Sequence, residues 1–312
     1  MIVGAARVGT ARRGLLLVSL AGILWGTIGP GVVLIHDRSG LAPLTISGYR
    51  AGFAVAALLC FALATGQLTR IWVAARPQWR RVAAVGALTA LFQMLFFLAV
   101  VATGVSVTTV VCLGFAPVLL LVLRSAQERR PPSGGQSFPV IVAVVGLVLV
   151  SLTGGHVAGT SPAALGILAA LGSGAAYALS AEVAGPLTRR LNTLTITTAT
   201  MTVAGAVLVP SGLVFAVARG ETLTTSSVSS WLLIAYLGVV SMALAYALLF
   251  TGLRSTASGS AVIATLLEPI TAVVIAVLFL GEVLTAAGVA GSLLILGAIA
   301  SLGRQSEEPP PQ

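Results

Sequence analysis

The chain has no lysine, two cysteines, two histidines and only eight acidic residues in 312 positions. Each shortage excludes something. Charged residues make up 8% of the chain, too few to clothe a water-soluble domain of this length. Cys60 and Cys112 fall inside apolar runs and read as small packing residues, which implies neither a disulfide framework nor a metal site. His36 and His156 sit outside the apolar runs, no H-E-x-x-H or G-x-S-G stretch occurs, and Ser258-Gly259 lacks the leading glycine. A membrane-embedded enzyme would need such a nucleophile, base or metal cluster, so no catalytic residue and no cofactor is expected.

What is present is apolar: 57% of the residues are hydrophobic and the mean hydropathy is +1.07. Crossing a hydrocarbon core as helix takes about 20 apolar residues. Ten stretches approach or exceed that length, near 14–35, 43–65, 80–102, 105–124, 138–155, 162–184, 191–218, 230–253, 257–280 and 283–303. They lack the alternating period of a barrel strand, so the expected fold class is an all-α membrane protein of ten transmembrane helices.

The net charge of +9 is distributed as a topology signal and not as a nucleic-acid footprint. Arg7, Arg12 and Arg13 precede the first span; Arg70, Arg76, Arg80 and Arg81 link the second and third; Arg124, Arg129 and Arg130 link the fourth and fifth. Arg189, Arg190, Arg254 and Arg304 continue the series, while the opposite loops hold only Arg38 and Arg219. The positive-inside rule then places both termini in the cytoplasm of a multi-pass inner-membrane protein. The first span is too long, and its flank too poor in a cleavage site, for a removable signal peptide. The tail, 305–312, with Glu307, Glu308 and Pro309 to Pro311, reads as disordered.

Residues 14 to 123 can be laid over 166 to 275 at one constant offset, and scarce residues keep the register: Gly22 with Gly174, Trp25 with Tyr177, Trp79 with Trp231, Gly86 with Gly238, Pro117 with Pro269. Beyond residue 124 the register slips, pairing Gly146 with Gly291, because the first half carries the longer polar loop 124–139. Two copies of a five-span unit are expected, 14–155 and 162–303. An odd number of crossings inverts the second copy, the construction of many secondary transporters.

Several residues stand out against the apolar background. The run Trp25-Gly26-Thr27-Ile28-Gly29-Pro30-Gly31 concentrates helix-weakening residues inside the first span, as a discontinuous binding helix or as a close-packed, proline-kinked one. Trp25 and Tyr177 would face a shared pseudo-two-fold axis as stacking surfaces or as packing residues; Tyr246 and Gln93 are similar candidates. Glu268, followed by Pro269 in the ninth span, costs about 2.5 to 3.5 kcal/mol at the bilayer centre. It either titrates or binds a substrate ammonium, or it bonds the backbone beside the proline. Arg50 snorkels, pairs with Glu268, or binds a substrate carboxylate. Glu182, Glu282 and Asp37 fall at span ends and are expected to be solvated.

Trp25-Gly26, Tyr49-Arg50, the run 102–117, and Leu267-Glu268-Pro269 followed by Leu280-Gly281-Glu282 resemble EamA-type members of the drug/metabolite transporter superfamily. The resemblance covers nearly the whole chain. It implies a ten-helix transporter, often an exporter, of amino acids, their derivatives, nucleobase compounds or toxic organic compounds, with alternating access to a central cavity. Trp25, Arg50, Glu268 and Pro269 match family positions. The first half departs at Ala116, where the second half has Glu268, and at Val100-Val101, where a polar or aromatic pair is common. The expected substrate-binding set is Trp25, Arg50, Gln93, Tyr177, Tyr246 and Glu268, with Gly26, Gly29, Pro30, Pro117 and Pro269 as bending points. A small-molecule substrate and the lipid bilayer are the expected partners, with proton coupling open and a monomer or homodimer as the assembly. Import, or a structural subunit without a cavity, are the competing functions.

Overall fold

A computed structural model describes the backbone at residues 2–103, 105–151, 163–279 and 285–305. His156, the pair Gly281-Glu282 and the tail from 306 onward lie outside the described residues. The described chain is helical throughout, in fourteen α-helices: α1 Ile2–Gly26, α2 Ile28–Ser39, α3 Pro43–Ala64, α4 Leu68–Ala75, α5 Trp79–Thr103, α6 Val105–Glu128, α7 Gly134–Ser151, α8 Ala163–Thr188, α9 Thr193–Arg219, α10 Val228–Gly238, α11 Ala245–Gly252, α12 Ser258–Ala264, α13 Leu267–Phe279 and α14 Ala286–Gln305.

Among the described residues eight segments are long and apolar enough to cross a membrane, counting α1 with α2, α4 with α5, α10 with α11 and α12 with α13 as single segments. Two of the ten expected spans fall short of that length, the apolar stretches 134–149 of α7 and 286–301 of α14. These two pack on each other, with Gly146 so close to Gly291 that an added Cβ would lie 2.7 Å from its carbonyl oxygen. Helix ends carry local stop signals. Asn192 caps α9 by accepting from the Thr195 amide at 2.7 Å, and Gly220 ends it in the left-handed conformation at φ 65°.

Polarity is turned inside out relative to a soluble protein. Leu16, Leu63, Val73, Leu168, Val214 and Leu278 are among many large apolar side chains left on the outside. Arg50, Gln93, Thr89, Ser180 and a threonine row on α9 are buried. In water that exterior would aggregate; against lipid it costs nothing. Cys60 belongs to the exterior and not to the packing expected of it, whereas Cys112 is buried.

Helix pairs recur across the two halves. α5 packs on α8 as α1 packs on α11, and α6 packs on α8 as α12 and α13 pack on α1. Glycines in register make close approaches in both halves. A Cβ on Gly86 would sit 2.6 Å from the Thr200 carbonyl oxygen, and one on Gly238 2.5 Å from that of Arg50. Gly22 abuts the Thr265 backbone and Gly174 that of Cys112; Gly14 abuts Ser255 and Gly166 abuts Thr103. Only a residue without a side chain fits such contacts.

Candidate functional site

Besides the 3-10 turn Arg76–Gln78 between α4 and α5, three of the long apolar segments are broken near their middles, and these breaks converge. In the first, Thr27 separates α1 from α2, its hydroxyl donating to the Leu24 carbonyl at 2.7 Å. Pro30 falls in the first turn of α2, where an absent N–H costs least. In the second, residues Val239–Leu244 form a π-helical turn between α10 and α11, a local widening found often at functional sites. Ser241 of that turn meets the Thr27 hydroxyl at 2.9 Å, so the two breaks touch. In the third, α12 ends before Thr265 and α13 begins at Leu267, because Pro269 has no N–H and the Thr265 carbonyl accepts from the Glu268 amide instead.

Glu268 therefore occupies the first turn of a new helix near the middle of the segment. The positive end of α13 favours a carboxylate there by about 0.3–1 kcal/mol, which offsets part of its burial. The side chain is half-buried, and among the described residues it forms no ion pair. Its electrostatic neighbours are Arg50, Tyr177, Tyr246 and Cys112.

Aromatic rings line the same place. Trp25 lies 5.2 Å from Tyr246 and 6.1 Å from Tyr177, and Tyr177 lies 5.2 Å from Phe92. Trp25, Tyr177 and Tyr246 are nearly fully buried. The Tyr177 hydroxyl pairs with that of Thr265 at 2.8 Å, tying α8 to the break before Glu268. On the α3 side, an Arg50 Nη2 donates to Gln93 Oε1 on α5, which also accepts from Ser47 at 3.4 Å. Arg50 is 5% exposed and turned inward, so it does not snorkel, and its direct partner is Gln93 and not Glu268.

All six candidate binding residues thus lie in one neighbourhood. The candidate bending points differ in kind: Gly26 and Pro30 flank a break and Pro269 follows one, while α6 runs unbroken through Pro117. Gly29 faces open space. Sequence inspection missed Phe92, Ser241 and Thr265, and named Thr27 only within its glycine-proline run. The Thr27 and Thr265 breaks were announced by the nearby glycine and proline, but the π turn has no sequence signal in Val239–Leu244. Glu182, expected to be solvated, is half-buried and accepts from Ser258, which in turn accepts from Arg124 at 3.0 Å.

An apolar exterior around polar, aromatic, broken helices is the construction of a polytopic membrane transport protein. Residues 12–152 and 164–304 each match the model of the EamA-like transporter family, and the chain belongs to that family, within the drug/metabolite transporter superfamily. It is a secondary transporter and not an enzyme. It is 27% identical over 286 residues to YwfM, an uncharacterized transporter of Bacillus subtilis (strain 168), spanning 91% of this chain and 92% of that one. A protein of known crystal structure shares its fold with a TM-score of 0.75 at 16% identity, covering 95% of this chain and 99% of the other.

Proposed function

We propose that the protein exports small metabolites, amino acids or related compounds or toxic organic compounds, by alternating access to the site around Trp25, Arg50, Gln93, Tyr177, Tyr246 and Glu268. Two inverted five-helix repeats, 14–155 and 162–303, make up ten spans in the inner membrane with both termini cytoplasmic. The arginine-rich loops support that orientation, and the recurrent helix pairs support the repeat. The observation that carries the proposal is the meeting of three helix breaks, two aromatic residues from one half and one from the other, and two opposite charges at mid-span. Freed backbone groups at that depth are tolerated where they line a solute path.

Alternating access requires contacts at each end to open in turn. The arginine-rich end is held by Gly14 against Ser255, and the other end by the repeat-related contact of Gly166 against Thr103. Both approaches are short enough for a disulfide. In protein freed of Cys60 and Cys112, oxidised Gly14→Cys/Ser255→Cys and Gly166→Cys/Thr103→Cys should each stop flux in liposomes, and reduction should restore it. Undiminished flux in a fully cross-linked sample of both pairs rules out the mechanism.

A further inference from the structure

Arg80 and Arg81 stand in the first turn of α5, and Arg190 lies in the link between α8 and α9. With Pro77, Gln78 and Trp79 they line one open cavity of about 400 Å³. All three arginines are exposed, and among the described residues none has a hydrogen-bond or ion-pair acceptor for its side chain. Arg80 rests over the Trp79 ring, 5.7 Å from its centroid. Other arginines of the same end are spent on the protein: Arg254 donates to the carbonyls of Thr188 and Leu191 at 2.7 and 2.9 Å, and Arg124 donates to Ser258 at 3.0 Å. Nor does either stretch of chain carry an acid to relieve the three, since no Asp or Glu occurs between residues 38 and 127 or between 183 and 220. Orientation in the membrane does not ask for such a cluster: the positive-inside rule counts arginines in loops and is indifferent to whether they converge. Gathering three like charges without a counter-charge is unfavourable, and an anion seated among them reverses that.

The surroundings decide which anion. With 25 residues α5 is long enough to span a bilayer by itself, so α4, ahead of the 3-10 turn Arg76–Gln78, is not needed for the crossing. It buries Ile71 and Ala75, packs on α9, and leaves Arg70, Trp72 and Val73 outside. Trp79, on the cavity wall, is 61% exposed. Exposed tryptophan beside arginine marks the headgroup layer, where rings rest among the ends of acyl chains and guanidiniums reach phosphates. A soluble anion would have no use for that apolar wall. We propose that the cavity is a binding site for the phosphodiester headgroup of an anionic phospholipid, with Arg80, Arg81 and Arg190 on the phosphate oxygens and the acyl chains against Trp79 and the outer face of α4. A guanidinium suits this role because its planar fork can hold two phosphate oxygens at once. A zwitterionic phospholipid is disfavoured, because its ammonium would be brought in among three positive charges. The bound headgroup ties the α4–α5 turn to the α8–α9 link, one from each half of the chain.

The site is independent of which solute is transported, and lipid binding tests it directly. Native mass spectrometry of the delipidated full chain in detergent micelles compares the affinity for a first phosphatidylglycerol with that for a first phosphatidylethanolamine of the same acyl chains. The wild type should bind phosphatidylglycerol at least about fivefold more tightly, which is what one engaged arginine supplies near a membrane surface. Arg80→Gln/Arg190→Gln should remove that preference. Arg13→Gln/Arg130→Gln, which takes two exposed arginines of the same end from outside the cavity, should leave it in place. Millimolar inorganic phosphate should not displace the lipid. The wild-type preference and the phosphate competition stand even if a variant fails to fold. Equal binding of the two lipids to the wild type, a preference that survives in folded Arg80→Gln/Arg190→Gln, or an equal loss in both double variants overturns the proposal, the last because it reports a diffuse positive potential and not a site. Displacement by inorganic phosphate overturns it as well, by making the cavity a site for a soluble anion.

Discussion

Replacing Gly238 by alanine tests whether the close approach of α3 and α10 places Arg50. A Cβ there would lie 2.5 Å from the Arg50 carbonyl oxygen, 2.6 Å from the Phe53 Cβ and 3.1 Å from the Ala54 nitrogen. None of these is the loose end of a side chain, so nothing can swing aside. Ordinary contact begins near 3.4 Å, and α3 must move off α10 by close to 1 Å. Overpacking of that kind costs about 1–3 kcal/mol, and the better helix propensity of alanine returns about 1 kcal/mol. The net expectation is a loss of up to about 2 kcal/mol. Gly29→Ala is the matched control, because nothing lies within 4 Å of its added methyl. It should be neutral or stabilising by up to about 1 kcal/mol. Unfolding of the purified proteins in mixed micelles measures both. Since the displaced carbonyl belongs to Arg50, Gly238→Ala should also lower flux by about tenfold or more, given how steeply function falls with a 1 Å misplacement. If Gly238→Ala proves as stable as Gly29→Ala, the packing argument is wrong.

Tyr177→Phe removes the hydroxyl that meets Thr265, and Thr265 still donates to the Val262 carbonyl at 2.8 Å. No polar atom is stranded, so the cost should sit low in the range of about 0.5–1.5 kcal/mol, read as a small drop in melting temperature. Ser258→Ala severs the bridge between Arg124 and Glu182, and hydrogen exchange should quicken in α8 near Glu182 while the segment around Trp25 is unaffected; exchange rising equally at both would show a global effect. For proton coupling, Glu268→Gln should abolish accumulation of solute against its gradient in liposomes with an imposed pH difference, and unchanged accumulation with unchanged pH dependence removes Glu268 from that role.

Span positions were legible because hydropathy and arginine placement are properties of stretches, and stretches survive small errors. Eight of the ten expected spans reappear as long apolar segments, displaced at their ends by a few residues except the third, whose segment begins twelve residues early at Leu68 because α4 runs into α5. The candidate site was legible at its scarce residues: a lone acid, a lone intramembrane arginine and aromatic partners in register stand out against alanine and leucine, and the structure gathers them in one neighbourhood. What stayed hidden was partnership. Nothing in the letters says that Arg50 gives its hydrogen bond to Gln93 and withholds it from Glu268, or that Glu182 bonds Ser258, since those choices depend on how helices distant in sequence rotate against one another.

The register of the two halves explains where the scaffold ends and the chemistry begins. Gly22 and Gly174, Gly86 and Gly238 each lie against the backbone of another helix, as a shared frame requires. The contents are not. Tyr177 can bond Thr265, but its counterpart Trp25 belongs to a half in which the corresponding residue is Leu113, with no hydroxyl to offer. Pro269 follows a break in which the Thr265 carbonyl turns to Glu268, whereas Pro117 follows Ala116 and the helix continues through it. A proline alone is thus insufficient to interrupt the segment in this fold. The break goes with the acid and with the Thr265 hydroxyl that Tyr177 of the same half holds in place. Under the proposed alternating access, the two-fold frame serves both orientations of access and the single asymmetric site serves one solute in both.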